Sequence, residues 1–218
     1  MYKLNFRFLQ DYYPLLLKGL LNTLIIVVFS SLIGFILGLL VAIMRRSKHK
    51  VVRAIGTGWV NFLRNTPFLV QLFFLFYGLP ELGINTDPLI TAIIALGINT
   101  SAPNCEVIRA GLMAVKNGYY ECSAALGFTP FQTLRYTVIP ISLRLAFRPL
   151  TSNFINLVLT SSVSFSVTVT ETMGAAKTMA ARTARPFEIY FVIMILYCIF
   201  TFTLSFLAKY IDKKISIT

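Results

Sequence analysis

Charge is scarce in this chain. Only 13% of its 218 residues are Asp, Glu, Lys or Arg, about half the share of an ordinary soluble domain. Acids are scarcer still, with eight Asp and Glu against 20 Lys and Arg. A soluble domain of this size needs a polar shell around one core. With 56% hydrophobic residues and a mean hydropathy of +0.75, the chain cannot supply that shell. A soluble enzyme or a DNA-binding domain is therefore excluded. The net charge of +12 requires no nucleic acid, because in a membrane protein an excess of Lys and Arg marks the cytoplasmic side. The single histidine, His49, lies in a basic stretch away from any acid or cysteine cluster, so no metal site is expected. Cys105 and Cys198 fall inside apolar runs and Cys122 outside them, which suits packing better than a structural disulfide. No nucleophile–base pair stands out, which argues against a membrane enzyme. GAAKT, residues 174–178, lacks the glycine spacing and preceding strand of a phosphate loop. Any energy must come from a partner or a gradient.

Long apolar runs are abundant. Residues 19–44 (26 residues), 65–80 (16), 88–105 (18), 149–170 (22) and 189–208 (20) contain no charged side chain. A helix rising about 1.5 Å per residue needs roughly 20 residues to cross a hydrocarbon core of about 30 Å. The first, fourth and fifth runs qualify alone. The second qualifies if it begins near Trp59 and Arg64 snorkels to the interface. The third qualifies if it continues past Glu106 toward Arg109. The expectation is an all-α integral membrane protein with about five transmembrane helices. The first run is too long for a signal peptide and no small-residue cleavage site follows it.

Loop charge sets orientation. Arg45, Arg46, Lys48, Lys50 and Arg53 follow the first run with no acid among them. The second loop holds Glu81 and Asp87 and no base. Lys116, Arg135, Arg144 and Arg148 occupy the third, and Lys209, Lys213 and Lys214 the tail. The positive-inside rule then places loops one and three and the C-terminus in the cytoplasm, with the N-terminus outside. The fourth loop, with Lys177, Arg182 and Arg185 against Glu171, runs against this rule.

Polar residues inside spans mark a candidate solute pathway, because each must be satisfied within the protein. Gln71, Asn99, Thr100 and Ser101, and Thr160, Ser161 and Ser162, reach similar depth when counted from the span ends. The competing reading is that Ser and Thr bond their own helix backbone and pack against neighbours. Ser30, Gly34, Gly38 and Ala42 recur every four residues, a small-residue stripe that lets another helix approach closely. Glu106 and Arg109 are spaced for a local ion pair, and Pro67 for a kink or break.

The third loop, residues 116–144, is too long for a plain connector. Residues 119–126 read as a short helix, and Gly127 suits the left-handed position after a helix end. Thr129 and Pro130 read as a helix start. Phe131, Leu134, Tyr136 and Val138 give a second short helix with an exposed apolar side, and Pro140 is expected to end it. Such a pair forms either a docking element or an amphipathic segment on lipid headgroups.

This loop resembles the cytoplasmic signature of ABC importer permeases, written EAA, three residues, G, nine residues, I-x-L-P. Glu121, Gly127 and Pro140 stand at its Glu, Gly and Pro; Cys122 and Ser123 replace its alanines, Thr137 its Ile and Ile139 its Leu. RNTPFLVQLFFLFYGLP, residues 64–80, is similar to RGTPLLVQLFF…YFGLP of the polar amino acid and opine permeases, and NCEVIRAGLMAVKNGYYE, residues 104–121, to their AEIIRGGIxSIxxGQxEAA. The likeness extends over about residues 19–208.

The resemblance implies the MetI-like type-1 ABC transmembrane fold. It implies an external segment 1–18, a transmembrane domain 19–208 with a coupling loop at about 116–144, and a cytoplasmic tail 209–218. It implies that Glu121 and Gly127 hold an elbow, and that Phe128, Thr129, Pro130, Phe131, Leu134 and Pro140 belong to the part that couples to an ATPase subunit. The expected partners are two ABC ATPases, a second permease (a heterodimer rather than a homodimer), an extracytoplasmic binding protein and membrane lipid, with no nucleic acid. ATP and Mg would sit on the ATPase, with no cofactor or metal on this chain. The solute would be a polar amino acid or derivative, moved across the bacterial inner membrane by alternating access. Relatives continue L-K-D-T-S-L where this chain has Val158, Leu159, Thr160, Ser161, Ser162 and Val163, so their Lys and Asp are absent. A channel or secondary transporter outside the ABC class is the alternative, and would more often carry a membrane-buried carboxylate.

Overall fold

The computed structural model describes residues 4–215. Residues 1–3 and 216–218, parts of the expected external segment and tail, lie outside the described residues. The described residues are helical with short links and form no strand. The helices are α1 (Phe8–Arg45), α2 (Lys50–Asn65), α3 (Phe68–Glu81), α4 (Pro88–Met113), α5 (Asn117–Ala125), α6 (Pro130–Thr133), α7 (Ile139–Ser161), α8 (Thr172–Thr183) and α9 (Pro186–Ile215). A π-helical stretch, Leu134–Val138, joins α6 to α7, and a 3-10 turn, Ser162–Val167, extends α7.

Helices α1 and α4 form the main seam. Ser30, Gly34, Gly38 and Ala42 are buried along α1, as the four-residue stripe predicts. A Cβ on Gly34 would lie 3.0 Å from the Thr100 Cβ, and one on Gly38 would lie 2.9 Å from the Asn104 Cβ. Gly97 returns the contact from α4, where a Cβ would come within 2.7 Å of Ile33 Cγ2. Backbones therefore touch where lipid offers no hydrophobic drive for association, and close dispersion contact replaces it. Ser30 Oγ adds a hydrogen bond to the Ile93 carbonyl at 2.9 Å.

Three helical stretches are long and apolar enough to cross a membrane alone: α1, the run from Pro130 to Val167, and α9. Only 6% of the apolar window of α9 is buried within the chain, so its surface faces lipid or another subunit. Helix α4, at 26 residues, is long enough, but Asn99, Asn104, Glu106 and Arg109 dilute its apolar character. Its 12 buried residues put it inside the bundle, where polar groups find partners.

Two sequence expectations need correction. The helix that leads into the second apolar run begins at Lys50 rather than near Trp59, while the kink or break expected at Pro67 is present. The break falls at Thr66 and Pro67, and α2 meets α3 at 104°, the pair together passing as one broken span. Pro67 lacks an N–H and pushes the preceding residue into extended backbone, where Thr66 lies at φ −116°, ψ 137°. Most of α2 was read as basic loop, yet Gly56, Val60 and Leu63 bury one helical face of it.

The second correction concerns Pro140. It does not end a short helix; it occupies the first turn of α7, where a missing N–H costs least. The π stretch before it supplies the adjustment, with the Ile139 N–H bonding the Leu134 carbonyl five residues back. The segment that starts at Pro130 therefore runs directly into the spanning helix.

Candidate functional site

Helix α4 carries a column of polar residues, and each is engaged by a different neighbour. Gln71 of α3 is buried and donates from Nε2 to the Leu63 carbonyl (3.0 Å), the Thr66 carbonyl (3.2 Å) and Thr66 Oγ1 (2.7 Å). It thus satisfies carbonyls that the helix break leaves without an amide partner. Asn99 Nδ2 donates to Gln71 Oε1 at 3.0 Å, tying the broken span to α4. Two residues on, Trp59 Nε1 donates to Ser101 Oγ at 3.0 Å, and that hydroxyl donates to the Ile98 carbonyl at 2.6 Å. Further along, Asn153 Nδ2 of α7 donates to Asn104 Oδ1 at 3.0 Å. Thr100 is buried against Gly34.

Of the expected pathway residues, Gln71 and Asn99 come together. Thr160, Ser161 and Ser162 do not join them by any side-chain bond. Their hydroxyls donate to the carbonyls of Asn156 (2.8 Å), Val158 (2.7 Å) and Leu159 (2.6 Å) on their own helix. Ser161 is fully buried, while Thr160 and Ser162 are partly open. The amide pair Asn104–Asn153 and the Trp59–Ser101 bond were not anticipated. An asparagine inside each of two apolar runs was the available signal.

A charge cluster closes one end of α4. Glu106 accepts from Arg45 Nη1 at 2.7 Å and from Arg109 at 3.0 Å, and Arg64 Nη1 lies 3.8 Å away. The expected i,i+3 pair is present, enlarged by arginines from α1 and α2. At the α7–α9 crossing, Arg148 Nε meets Asp212 Oδ2 at 2.7 Å.

The loop after α4 is an ordered elbow. Helix α5 ends with Gly127 at φ +75°. The Gly127 N–H donates to the Ala124 carbonyl and the Phe128 N–H to the Ser123 carbonyl, each at 3.0 Å. These paired bonds define a Schellman cap, which needs a left-handed residue at that position. Thr129 and Gln132 form a reciprocal capping box with Pro130 in the first turn. Ser123 and Thr137 hydroxyls meet at 3.0 Å and pin α5 to the π stretch. Phe128 and Tyr136 rings pack edge to face, 6.4 Å apart. Phe131, Leu134 and Tyr136 stay exposed, Phe131 at 69%. Glu121 is exposed on α5 with no ion pair among the described residues.

Sequence reasoning missed two buried acids: Glu188, which accepts from Arg185 Nη1 at 3.1 Å, and Glu171. Glu171 was read as part of an external loop, yet it is fully buried and caps α8. Its carboxylate accepts from the Met173 N–H (2.8 Å), the Gly174 N–H (2.7 Å) and Tyr197 Oη (3.3 Å). Thr23 of α1 joins the node through Thr172, Oγ1 to Oγ1 at 2.8 Å. Burial pushes the Glu171 carboxyl up to about 7, while the two amides pull the other way. Glutamate is not among the usual N-cap residues, so no local signal in the sequence announced this cap.

The fold is shared with solved transporters. The chain superposes on the crystal structure of an amino acid ABC transporter with histidines at a TM-score of 0.91 and 30% identity, covering 98% of this chain and 100% of the other. An inward-facing methionine ABC transporter matches at a TM-score of 0.74 and 21% identity, which speaks to fold alone. A probable glutamine ABC transporter permease of Bacillus subtilis is 32% identical over 97% of this chain and 98% of its own length. A nopaline transport system permease of Agrobacterium fabrum is 33% identical over 93% and 88%. The fold and these relatives thus define the class, an all-helical permease of the MetI-like type-1 ABC architecture. Residues 34–217 match one family throughout, and the chain belongs to it: the binding-protein-dependent transport system inner membrane components.

Proposed function

We propose that this permease subunit serves an ATP-driven importer of polar amino acids or amino-acid derivatives, opines included. The amino acid and nopaline permeases among its relatives support that substrate class. It works with a second, non-identical permease, two ABC ATPases that hold ATP and Mg, and an extracytoplasmic binding protein. The N-terminus lies outside and the C-terminus in the cytoplasm, on the strength of the basic loops. Gln71, Asn99, Thr100, Ser101, Thr160, Ser161 and Ser162, with Asn104 and Asn153 added, line the route between inward-open and outward-open states. No Lys or Asp stands at residues 159–160, so solute recognition on this chain rests on neutral amides and hydroxyls, with charge recognition left to the partner permease.

The observation that carries the reading is the elbow. Gly127 and Thr129 fix its shape, and Glu121, exposed on α5, together with Phe128, Pro130, Phe131 and Leu134 presents it to an ATPase groove. A capped, rigid segment continuous with a spanning helix through Pro140 transmits displacement, and its uncovered aromatics are the residue types that anchor interfaces. The test is reconstitution of the chain with its ATPase and second permease in vesicles. ATP hydrolysis should rise when binding protein loaded with a polar amino acid or opine is added, and should not rise without this chain. Hydrolysis indifferent to this chain would remove the coupling role. Hydrolysis that depends on the chain but answers only to non-amino-acid solutes would remove the substrate class.

A further inference from the structure

An open cavity of about 530 Å³ lies where α1 and α4 end and α5 begins. Arg45, Arg46 and Arg109 line it, with Asn117 and Tyr120 of α5 as neutral donors. The charge around it is unbalanced. Arg45, Arg64 and Arg109 share the single carboxylate of Glu106, and Arg46 is exposed with no ion pair among the described residues. Planar guanidinium groups converging on one space match the oxygens of a phosphate, which they hold in paired hydrogen bonds. The remaining lining is apolar: Leu112, Met113 and Val115. Met113 is 69% exposed and Ile43, two residues before Arg45, is 60% exposed. Cationic head space beside uncovered apolar surface, at the end of two membrane helices, suits an amphiphile with a phosphate head.

We propose that this cavity is a phosphate-binding site, filled by the headgroup of an anionic phospholipid from the leaflet at that end of α1 and α4. The inference needs the chain to span a membrane but not the direction of transport or the identity of the solute. In place, the phosphate would neutralise Arg46 and the unshared donors of Arg45 and Arg109, and would brace α5 against α4 at the root of the elbow.

The full chain is purified and exchanged into nanodiscs of phosphatidylcholine containing about one fifth phosphatidylglycerol, and retained lipid is read by native mass spectrometry. Arg46→Gln, whose side chain is exposed, and Tyr120→Phe are compared with Lys48→Gln, an equal charge loss outside the cavity. Phosphatidylglycerol retention should fall several-fold in Arg46→Gln, less in Tyr120→Phe, and stay unchanged in Lys48→Gln. Millimolar inorganic phosphate separates the sources. If it leaves lipid retention intact, the headgroup is the ligand. If it competes the lipid away and itself raises thermal stability in wild type but not in Arg46→Gln, the site holds phosphate and the lipid source is wrong. Equal retention in Arg46→Gln and Lys48→Gln, with no phosphate effect, overturns the site. Retention lost once the ATPase is added also overturns it, assigning the arginines to an acidic surface of that partner.

Discussion

Gly127 offers the sharpest test of the elbow. Its φ of +75° lies in the left-handed region, and a Cβ there would meet nothing within 4 Å. The cost of a substitution is therefore conformational rather than steric. An ordinary L residue pays about 1–2 kcal/mol for that backbone, and Asn pays less because its short polar side chain tolerates it. Such a cost lowers the ratio of the correct elbow to other arrangements by about 5- to 30-fold. If the elbow must hold this shape to dock, the affinity of the permease for its ATPase falls by up to the same factor. Gly127→Val should insert into membranes normally yet need far more ATPase for half-maximal stimulated ATP hydrolysis. Gly127→Ala should be intermediate and Gly127→Asn close to wild type. Refutation would be a Val variant that couples like wild type, or an Asn variant as impaired as Val, since neither outcome follows from backbone strain.

Three further perturbations probe the framework. Gly38→Val would force a side chain into the 2.9 Å approach to Asn104; it should destabilise the α1–α4 seam by about 1–3 kcal/mol, seen as a lower midpoint in detergent thermal unfolding. Gln71→Leu removes the donor to Leu63 and Thr66 and the acceptor for Asn99; at about 1–3 kcal/mol per orphaned group, hydrogen exchange should quicken around the break and remain slow along α1. The Glu171 carboxyl, held at about 7 against a reference of 4.5, keeps a proton in the folded chain that the unfolded chain releases between those values. Stability should therefore be greatest below about 4.5 and fall as pH rises toward 7, by on the order of 3 kcal/mol. Glu171→Gln should flatten that slope, and an unchanged slope would place the titration elsewhere.

Legibility in the sequence followed the range of the cause. Gly127, Thr129 and Pro130 act through bonds to residues within five positions, so the elbow could be read before the fold was seen. The small residues of α1 were equally readable, because a stripe at four-residue spacing has one physical use in a bilayer. Other features depend on what lies opposite. Pro140 looked like a terminator because the register shift that accommodates it comes from a π stretch with no composition signal of its own. Residues 50–58 looked like basic loop because Lys50 and Arg53 continue the run of bases from Arg45 with no acid among them. Glu171 looked solvated because its burial is supplied by Thr23 and Tyr197, from helices far away in the chain. Asn104 and Asn153 were visible as polar residues, but their pairing belongs to the α4–α7 contact.

The π stretch before α7 has one more consequence. Buried positions along this segment fall at Thr133, Val138, Ser142 and Ala146, so the first interval is five residues and the later ones are four. The bulge acts as a phase adjuster. It adds about one residue of rotation, roughly 100°, between the face that meets the elbow and the face that meets α4. Removing Leu134, Thr137 or Val138 would restore a plain helix with all its charges and aromatics intact, but would turn the elbow's exposed face about a quarter of a circle relative to α4. What the five-residue interval encodes is aim.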